Sequence, residues 1–291
     1  MKSRLFFFAA AAFLGLTLFA GTNSWESASS YALYYGGPKE ETVTALATYD
    51  IAVIDPAALG GEARAVIKTL KEKGCVVIGY LSCFEVATWH RYASRVKEDW
   101  LVKVDGKVWT PWGTNHAVSL ANPEWRALLV SLVKSEVLDY GCDGVFMDTL
   151  ADIDNPTLPV AEKKRQLEGL KELLSAFDKA YPGAKFIGNW TLQETLPVVA
   201  PYIDGLCWED FAPANWDKDS PNFSWVSAIR KNIAAQNEKY PFRVFTLWNT
   251  DEPGKDTPAD QKKMRTISRS FGYVPYCAVG GYTAPGIRPC K

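Results

Sequence analysis

The sequence predicts a single-domain (β/α)8 TIM barrel, and three observations carry that reading. Eight short apolar segments recur along the chain, each rich in β-branched or aromatic residues. Amphipathic stretches with helical spacing separate them. Polar or aromatic residues close the segments, as they do where the strand ends of an α/β barrel open into a site.

Taken in order, a strand over 31–35 leads into a helix over 38–48, and a strand over 51–55 into a helix over 62–73. The third strand, 76–81, is followed by a long connection and then a helix over 123–140. Strands over 144–148, 185–190, 204–209 and 243–248 lead into helices over 160–180, 191–200, 224–240 and 258–272, and a strand over 274–279 closes the set. Two helices announce their starts with a capping residue before Pro, Asn122-Pro123-Glu124 and Thr257-Pro258-Ala259. A doubly wound open sheet is the alternative. It calls for a Gly-rich phosphate turn after the first strand, and Tyr35-Gly36-Gly37-Pro38 is a poor match.

Composition narrows the function classes. Of 291 residues 47% are hydrophobic, enough for a sizeable core, and 32 basic against 33 acidic residues leave a net charge of −1. That balance supplies no drive toward nucleic acid or an anionic membrane. Only His90 and His116 are present, which argues against a His-based triad or a multi-His zinc site; no metal or cofactor is expected. The 11 Trp and 13 Tyr are compatible with sugar-stacking surfaces.

At the N-terminus, Lys2 and Arg4 precede an uncharged apolar run over 5–20 and then Gly21-Thr22-Asn23-Ser24. This is the pattern of a signal peptide, expected over 1–24, leaving a domain over 25–291 with no membrane span. The product is expected to be secreted or periplasmic and monomeric. Six Cys in an exported chain point to disulfides. Cys75 and Cys142 each follow a Gly just before a strand and are the expected pair, with Cys277–Cys290 as a second pairing; Cys83 and Cys207 fall near strand C-terminal ends.

The connection 82–120 holds Trp89, Trp100, Trp109 and Trp112 with Arg91, Lys103 and Lys107. It reads either as a lid or cleft wall, or as an insert packed on its own aromatic residues.

The chemistry concentrates at the strand ends. Asp143-Gly144-Val145-Phe146-Met147-Asp148-Thr149 reads as a buried strand closed by a carboxylate, and Gly205-Leu206-Cys207-Trp208-Glu209 repeats the design. The full set of ends is Tyr34/Tyr35, Asp55, Tyr80, Asp148, Asn189, Glu209, Trp248/Asn249 and Tyr282. Asp148 and Glu209, on the fourth and sixth strands, supply the two carboxyl groups that glycoside hydrolysis requires. The one acting as acid needs a raised pKa, which burial against Trp208 or Trp190 would provide. Asp55 precedes Pro56 and either touches substrate or caps the next turn, and Glu85 suits a sugar hydroxyl or a cationic amine. Asp152 and Asp154 precede Asn155-Pro156 and read as an exposed loop without calcium-loop spacing. Asp210 should point away from its neighbour Glu209 if the strand continues. Of two sequons, Asn189-Trp190-Thr191 and Asn222-Phe223-Ser224, the first places Asn189 in the cleft, where it reads as a substrate-facing amide.

The block Gly-Cys-Asp-Gly-Val-Phe-Met-Asp-Thr-Leu-Ala-Asp resembles the G-x-D-G-x-F-x-D-T-x-D pattern of the endo-α-1,4-polygalactosaminidase family, glycoside hydrolase family 114, and the related hydrolase domain of the Pel exopolysaccharide system. Weaker matches are Tyr34-Tyr35-Gly36, Tyr49-Asp50 through Asp55-Pro56, Gly79-Tyr80-Leu81-Ser82 with Glu85, Asn122-Pro123-Glu124-Trp125, and Trp208-Glu209. The resemblance implies a barrel that hydrolyses α-1,4-linked galactosamine or N-acetylgalactosamine polymers, with Asp148 and Glu209 as the catalytic pair. By similarity Asp148 is the nucleophile and Glu209 the acid/base, the reverse assignment staying open. Tyr35, Asp55, Tyr80, Glu85, Asn189, Trp208 and Trp248 are the expected substrate contacts. Ser82-Cys83-Phe84-Glu85 and Trp208 depart from the family pattern and alter the cleft wall. Two other readings stand beside it: a non-catalytic saccharide-binding barrel, and a hydrolase of another α-glycoside.

Overall fold

The computed structural model describes residues 25–111, 113, 115–250, 257–279 and 281–283. The signal-peptide segment, Trp112 and Cys290 lie outside them. The eight expected strands all form: β1 (Tyr31–Tyr34), β2 (Ile51–Ile54), β3 (Val76–Ser82), β4 (Gly144–Asp148), β5 (Lys185–Asn189), β6 (Gly205–Trp208), β7 (Arg243–Thr250) and β8 (Val274–Val279). They pair in sequence order, parallel at every step. The seam is joined by Tyr35 N donating to Tyr282 O at 2.8 Å and by the Tyr31 and Tyr276 rings at 5.5 Å. This is a (β/α)8 barrel.

Helices cover its outside: α1 (Glu40–Leu46), α2 (Ala63–Glu72), α3 (Pro123–Leu132), α4 (Val160–Ala180), α5 (Leu196–Val199), α6 (Phe223–Lys239) and α7 (Pro258–Ser270). Asn122 starts α3 by accepting from Glu124 N at 2.8 Å and Trp125 N at 3.3 Å, and Thr257 caps α7 through Asp260 N. α3 ends earlier than its apolar spacing predicts, passing through a wider turn over Val133–Val137 and a tighter one over Leu138–Tyr140. α5 is a single turn. Among the described residues no helix is long and apolar enough to cross a membrane.

The barrel interior is aromatic. Phe245 meets Tyr31 at 5.0 Å and Trp25 at 5.6 Å, edge to face. It occupies the space that a side chain at residue 205 would need: a Cβ on Gly205 would stand 2.7 Å from the Phe245 ring. Burying one such Phe contributes ~1.5–3 kcal/mol.

At the floor, acids join the strands in pairs. Asp50, before β2, accepts from Ser29 N at 2.7 Å and Ser30 N at 3.0 Å. Asp143, before β4, accepts from Val77 N of β3 at 2.9 Å and pairs with Lys71 at 2.6 Å. Asp204, before β6, accepts from Phe186 N of β5 at 3.1 Å. The first Asp of the sequence motif is thus a structural acid.

The expected Cys75–Cys142 bridge is not formed: both are buried free thiols. The strands are neighbours, but the two side chains turn apart. Cys75 Sγ lies over its own strand, near Val76 O, while Cys142 Sγ packs over Gly79. Burial pushes each thiol up to about 12. Cys277 is buried beside Met264.

The 82–120 connection packs on its own aromatic residues. Trp100 and Trp109 are buried; Trp125 of α3 lies near Trp100 and Tyr92, and Phe84 near Trp109. Buried Gln166 of α4 pins its end, accepting from Leu120 N and donating to Ser119 Oγ. Trp89 alone of its described tryptophans is well exposed, at 72%.

Candidate active site

Period-two alternation brings the polar strand ends to one place. Residues of even number in β4 and odd number in β5 and β6 face the barrel axis, so Asp148 and Asn189 point inward at the mouth, with Glu209 immediately after β6. Asn189 lies between the two acids. Its Nδ2 donates to Asp148 Oδ1 at 2.9 Å and to Glu209 Oε2 at 2.7 Å. Those oxygens are therefore no further apart than the two bonds laid end to end, 5.6 Å. With the amide hydrogens spread at ~120° the gap is about 4.9 Å.

The two carboxyl groups differ in surroundings. Burial, and then the nearby Asp148 charge, push Glu209 above the usual carboxyl range; the Tyr282 hydroxyl and the Asn189 amide, both donating to it, pull only part of the way back. Asp148 accepts from Asn189 and from the Tyr80 hydroxyl. Tyr80, Tyr35 and Tyr282 form a wall beside the pair, Tyr35 lying edge-on to Tyr80 at 4.9 Å and to Tyr282 at 5.7 Å. Burial keeps the Tyr35 and Tyr80 phenols protonated far into alkali, so each remains a donor.

The chain leaves the sheet abruptly at all three positions. Thr149 (φ 67°), Trp190 (φ 52°) and Asp210 (φ 51°) directly follow Asp148, Asn189 and Glu209, each in the left-handed region. This breaks strand alternation, so Asp210 sits on the cavity rim rather than turning away. The cavity measures about 420 Å³ and is lined by five acids, Glu85, Asp148, Asp152, Glu209 and Asp210. Among the described residues that line it there is no Lys, Arg or His. A larger cavity, about 660 Å³, opens at the opposite end beside Trp25 and Lys185, away from the carboxyl pair. Among the described residues no group of three His, Cys, Asp or Glu is disposed to hold a metal ion.

Glu85, Tyr80, Asn189, Asp148 and Glu209 line one cavity, and Tyr35 backs it. Asp55 caps the turn Pro56–Leu59, accepting from Ala57 N at 2.8 Å, and faces an adjoining recess with Tyr80, Trp89 and Arg91. Trp208 and Trp248 do not reach the cavity. Trp208 is 1% exposed and packs outside the barrel on Phe211 and Trp216. Trp248 shares its side of β7 with Thr246, whose hydroxyl meets Ser268 of α7. Asp152 is buried and lines the cavity, because 150–154 winds into a tight turn instead of looping out. Asp154 accepts from the Thr195 hydroxyl and amide. Asn115 lines the same cavity; as a lone amide in a long connection it gives no sequence signal.

A model of the glycoside-hydrolase family GH114 matches residues 16–240. No curated protein matches the sequence. Among solved structures, the glycoside hydrolase domain of PelA from Pseudomonas aeruginosa superposes with a TM-score of 0.69 at 21% identity, covering 89% of this chain and 98% of that one. Ega3 from Aspergillus fumigatus, solved with galactosamine, gives 0.64 at 16%, covering 90% and 96%. The α-galactosidase TtGalA from Thermus thermophilus gives 0.55 at 13%, covering 87% and 59%. At these identities the likeness is one of fold.

Proposed function

The chain belongs to glycoside-hydrolase family GH114, and from that membership we propose that it cleaves α-1,4-linked galactosamine polymers with retention, through Asp148 and Glu209. The observation that carries the proposal is the Asn189 amide bonded to both carboxyl groups. Retaining glycosidases hold their carboxyls about 5–5.5 Å apart and inverting ones roughly 6.5–9.5 Å; the 5.6 Å limit between the bridged oxygens favours retention. Glu209, raised by burial and by Asp148, keeps a proton to give the leaving oxygen. Asp148 attacks the anomeric carbon as the glycosidic C–O bond breaks, forming a glycosyl ester. Glu209, now ionised, takes a proton from water, whose oxygen displaces Asp148 and regenerates both groups. Galactosamine is the ligand with which Ega3 was solved, and a cavity lined by five acids suits a polymer of amines. The leader pattern over 1–24 supports export, and action as a monomer is part of the same proposal.

The test is digestion of α-1,4-galactosamine polymer, with products read by mass spectrometry and the first anomer by NMR. Oligosaccharides with α ends are expected from the native protein. Asp148→Asn and Glu209→Gln should each reduce turnover by about 1000-fold or more while staying folded. A β first product, or full activity in either variant, refutes the assignment.

A further inference from the structure

We propose that Glu85, with Asn115 and Asp152 beside it, forms the pocket that takes the ammonium group of an amino sugar whose anomeric carbon stands at Asp148. The inference rests on the functional reading above and adds how the free amine is told from its N-acetylated form.

Glu85 is only 3% exposed, yet it lines the cavity that holds the carboxyl pair. Its Oε2 accepts from Asn115 Nδ2 at 3.1 Å, and its carboxyl meets that of Asp152, itself 4% exposed. Glu85 Oε1 is buried and receives no amide or hydroxyl donor. Asn115 Oδ1 and Asn189 Oδ1, two amide oxygens on the same cavity, are likewise buried acceptors without a donor. Burying acceptors and carboxyls in this state is unfavourable unless donors and a compensating charge arrive. A hydroxyl brings one O–H donor, an acceptor oxygen and no charge. An acetamide brings one donor, no charge and an extra acetyl group. An alkylammonium brings one positive charge and three donors, and accepts nothing.

Position supports the same group. The Thr149 hydroxyl accepts from Phe84 N at 2.9 Å and from Glu85 N at 3.1 Å, and it bonds to the backbone carbonyl of Asp148 at 2.6 Å. Ser82 Oγ donates to Glu85 O at 2.7 Å. Through Thr149, Glu85 is held in a fixed relation to Asp148. On a 2-amino sugar the amine sits on C2, one bond from the anomeric carbon. A carboxyl group fixed beside the proposed nucleophile is therefore placed for that substituent.

The probes are deacetylated and fully N-acetylated α-1,4-galactosamine oligomers. The native protein should favour the deacetylated form by about 100-fold or more in kcat/KM, because a site built for a charged donor rejects its neutral analogue. Glu85→Gln should reduce that preference by about tenfold or more, and Asn115→Ala by less, each losing more on the deacetylated oligomer than on the N-acetylated one. Equal losses on both oligomers, or an unchanged preference, overturn the proposal. Native cleavage of the N-acetylated oligomer alone also overturns it, while leaving the glycosidase reading intact. Native cleavage of neither overturns the functional reading, and calorimetry then decides on Glu85. Binding of the deacetylated oligomer to Glu209→Gln should weaken about tenfold when Glu85→Gln is added; equal binding overturns the proposal. Thermal melts of each variant separate these results from unfolding.

Discussion

Replacing Asn189 by alanine isolates the group that holds the carboxyl pair together. The change removes both Nδ2 bonds, at 2.9 Å to Asp148 and 2.7 Å to Glu209, and leaves two acids facing each other. In the proposed mechanism Asp148 is the nucleophile and Glu209 the acid, so the bond to Asp148 is the one that reaches the charged partner. A hydrogen bond to a charged group is worth about 1.5–3 kcal/mol. At 1.36 kcal/mol per factor of ten, kcat/KM should fall by about 10- to 150-fold. The pH profile carries a second signature. Burial and Asp148 push Glu209 up, while Asn189 and Tyr282 pull it down. Removing Asn189 removes a downward influence, so the alkaline limb, which reports loss of the acid's proton, should move to higher pH. Reducing-end release from galactosamine oligomers across a pH series measures both. A rate within twofold of the native protein, or an alkaline limb displaced downward, would refute the bridging role.

Two further outcomes follow from the floor of the barrel. Iodoacetamide at pH 8 should leave Cys75 and Cys142 unmodified in the folded protein, where burial pushes both thiols up to about 12, and alkylate both after denaturation without reductant; failure to alkylate the denatured, unreduced chain would restore the bridge. Burial raises Asp50, but bonds from Ser29 and Ser30 outweigh it and hold the carboxyl below its ordinary range. A depressed group stabilises above its unfolded pKa and loses that contribution as pH falls. Asp50→Asn should thus lower Tm by roughly 2 °C at neutral pH, from about 1 kcal/mol after allowing for solvent screening. The gap to the native protein should close in acid; a constant gap from pH 7 to pH 2 would show that the charge is not what matters.

How much of this was legible in the chain depended on the range of the deciding interaction. Each strand announces itself through its own β-branched and aromatic residues, and all eight appear within a few residues of expectation. Asp148, Asn189 and Glu209 stand out because an acid or amide closes an apolar run. A cleft position for Trp208 runs against period two, which sends it outward if Glu209 faces in. Asp210 escaped the same rule in the other direction, because its left-handed backbone ends the alternation. Asn115 meets Glu85 only through a short antiparallel ladder, Glu85–Val86 with His116–Ala117, that no local pattern predicts. The free thiols depend on side-chain direction, which spacing to a Gly does not fix.

The left-handed residues Thr149, Trp190 and Asp210 bear on how such a protein adapts to heat. Backbone held in that region costs on the order of 1–3 kcal/mol per residue for a side chain larger than glycine. Glycine at any of the three would relieve that backbone cost, although at Trp190 it would also remove a ring packed against the core. The same exchange would loosen the turn that aims the preceding carboxyl or amide and, at Thr149, delete the hydroxyl that ties Glu85 to Asp148. Thermal selection that preserves turnover would therefore leave these three positions alone and draw its gains from the helices and the barrel floor.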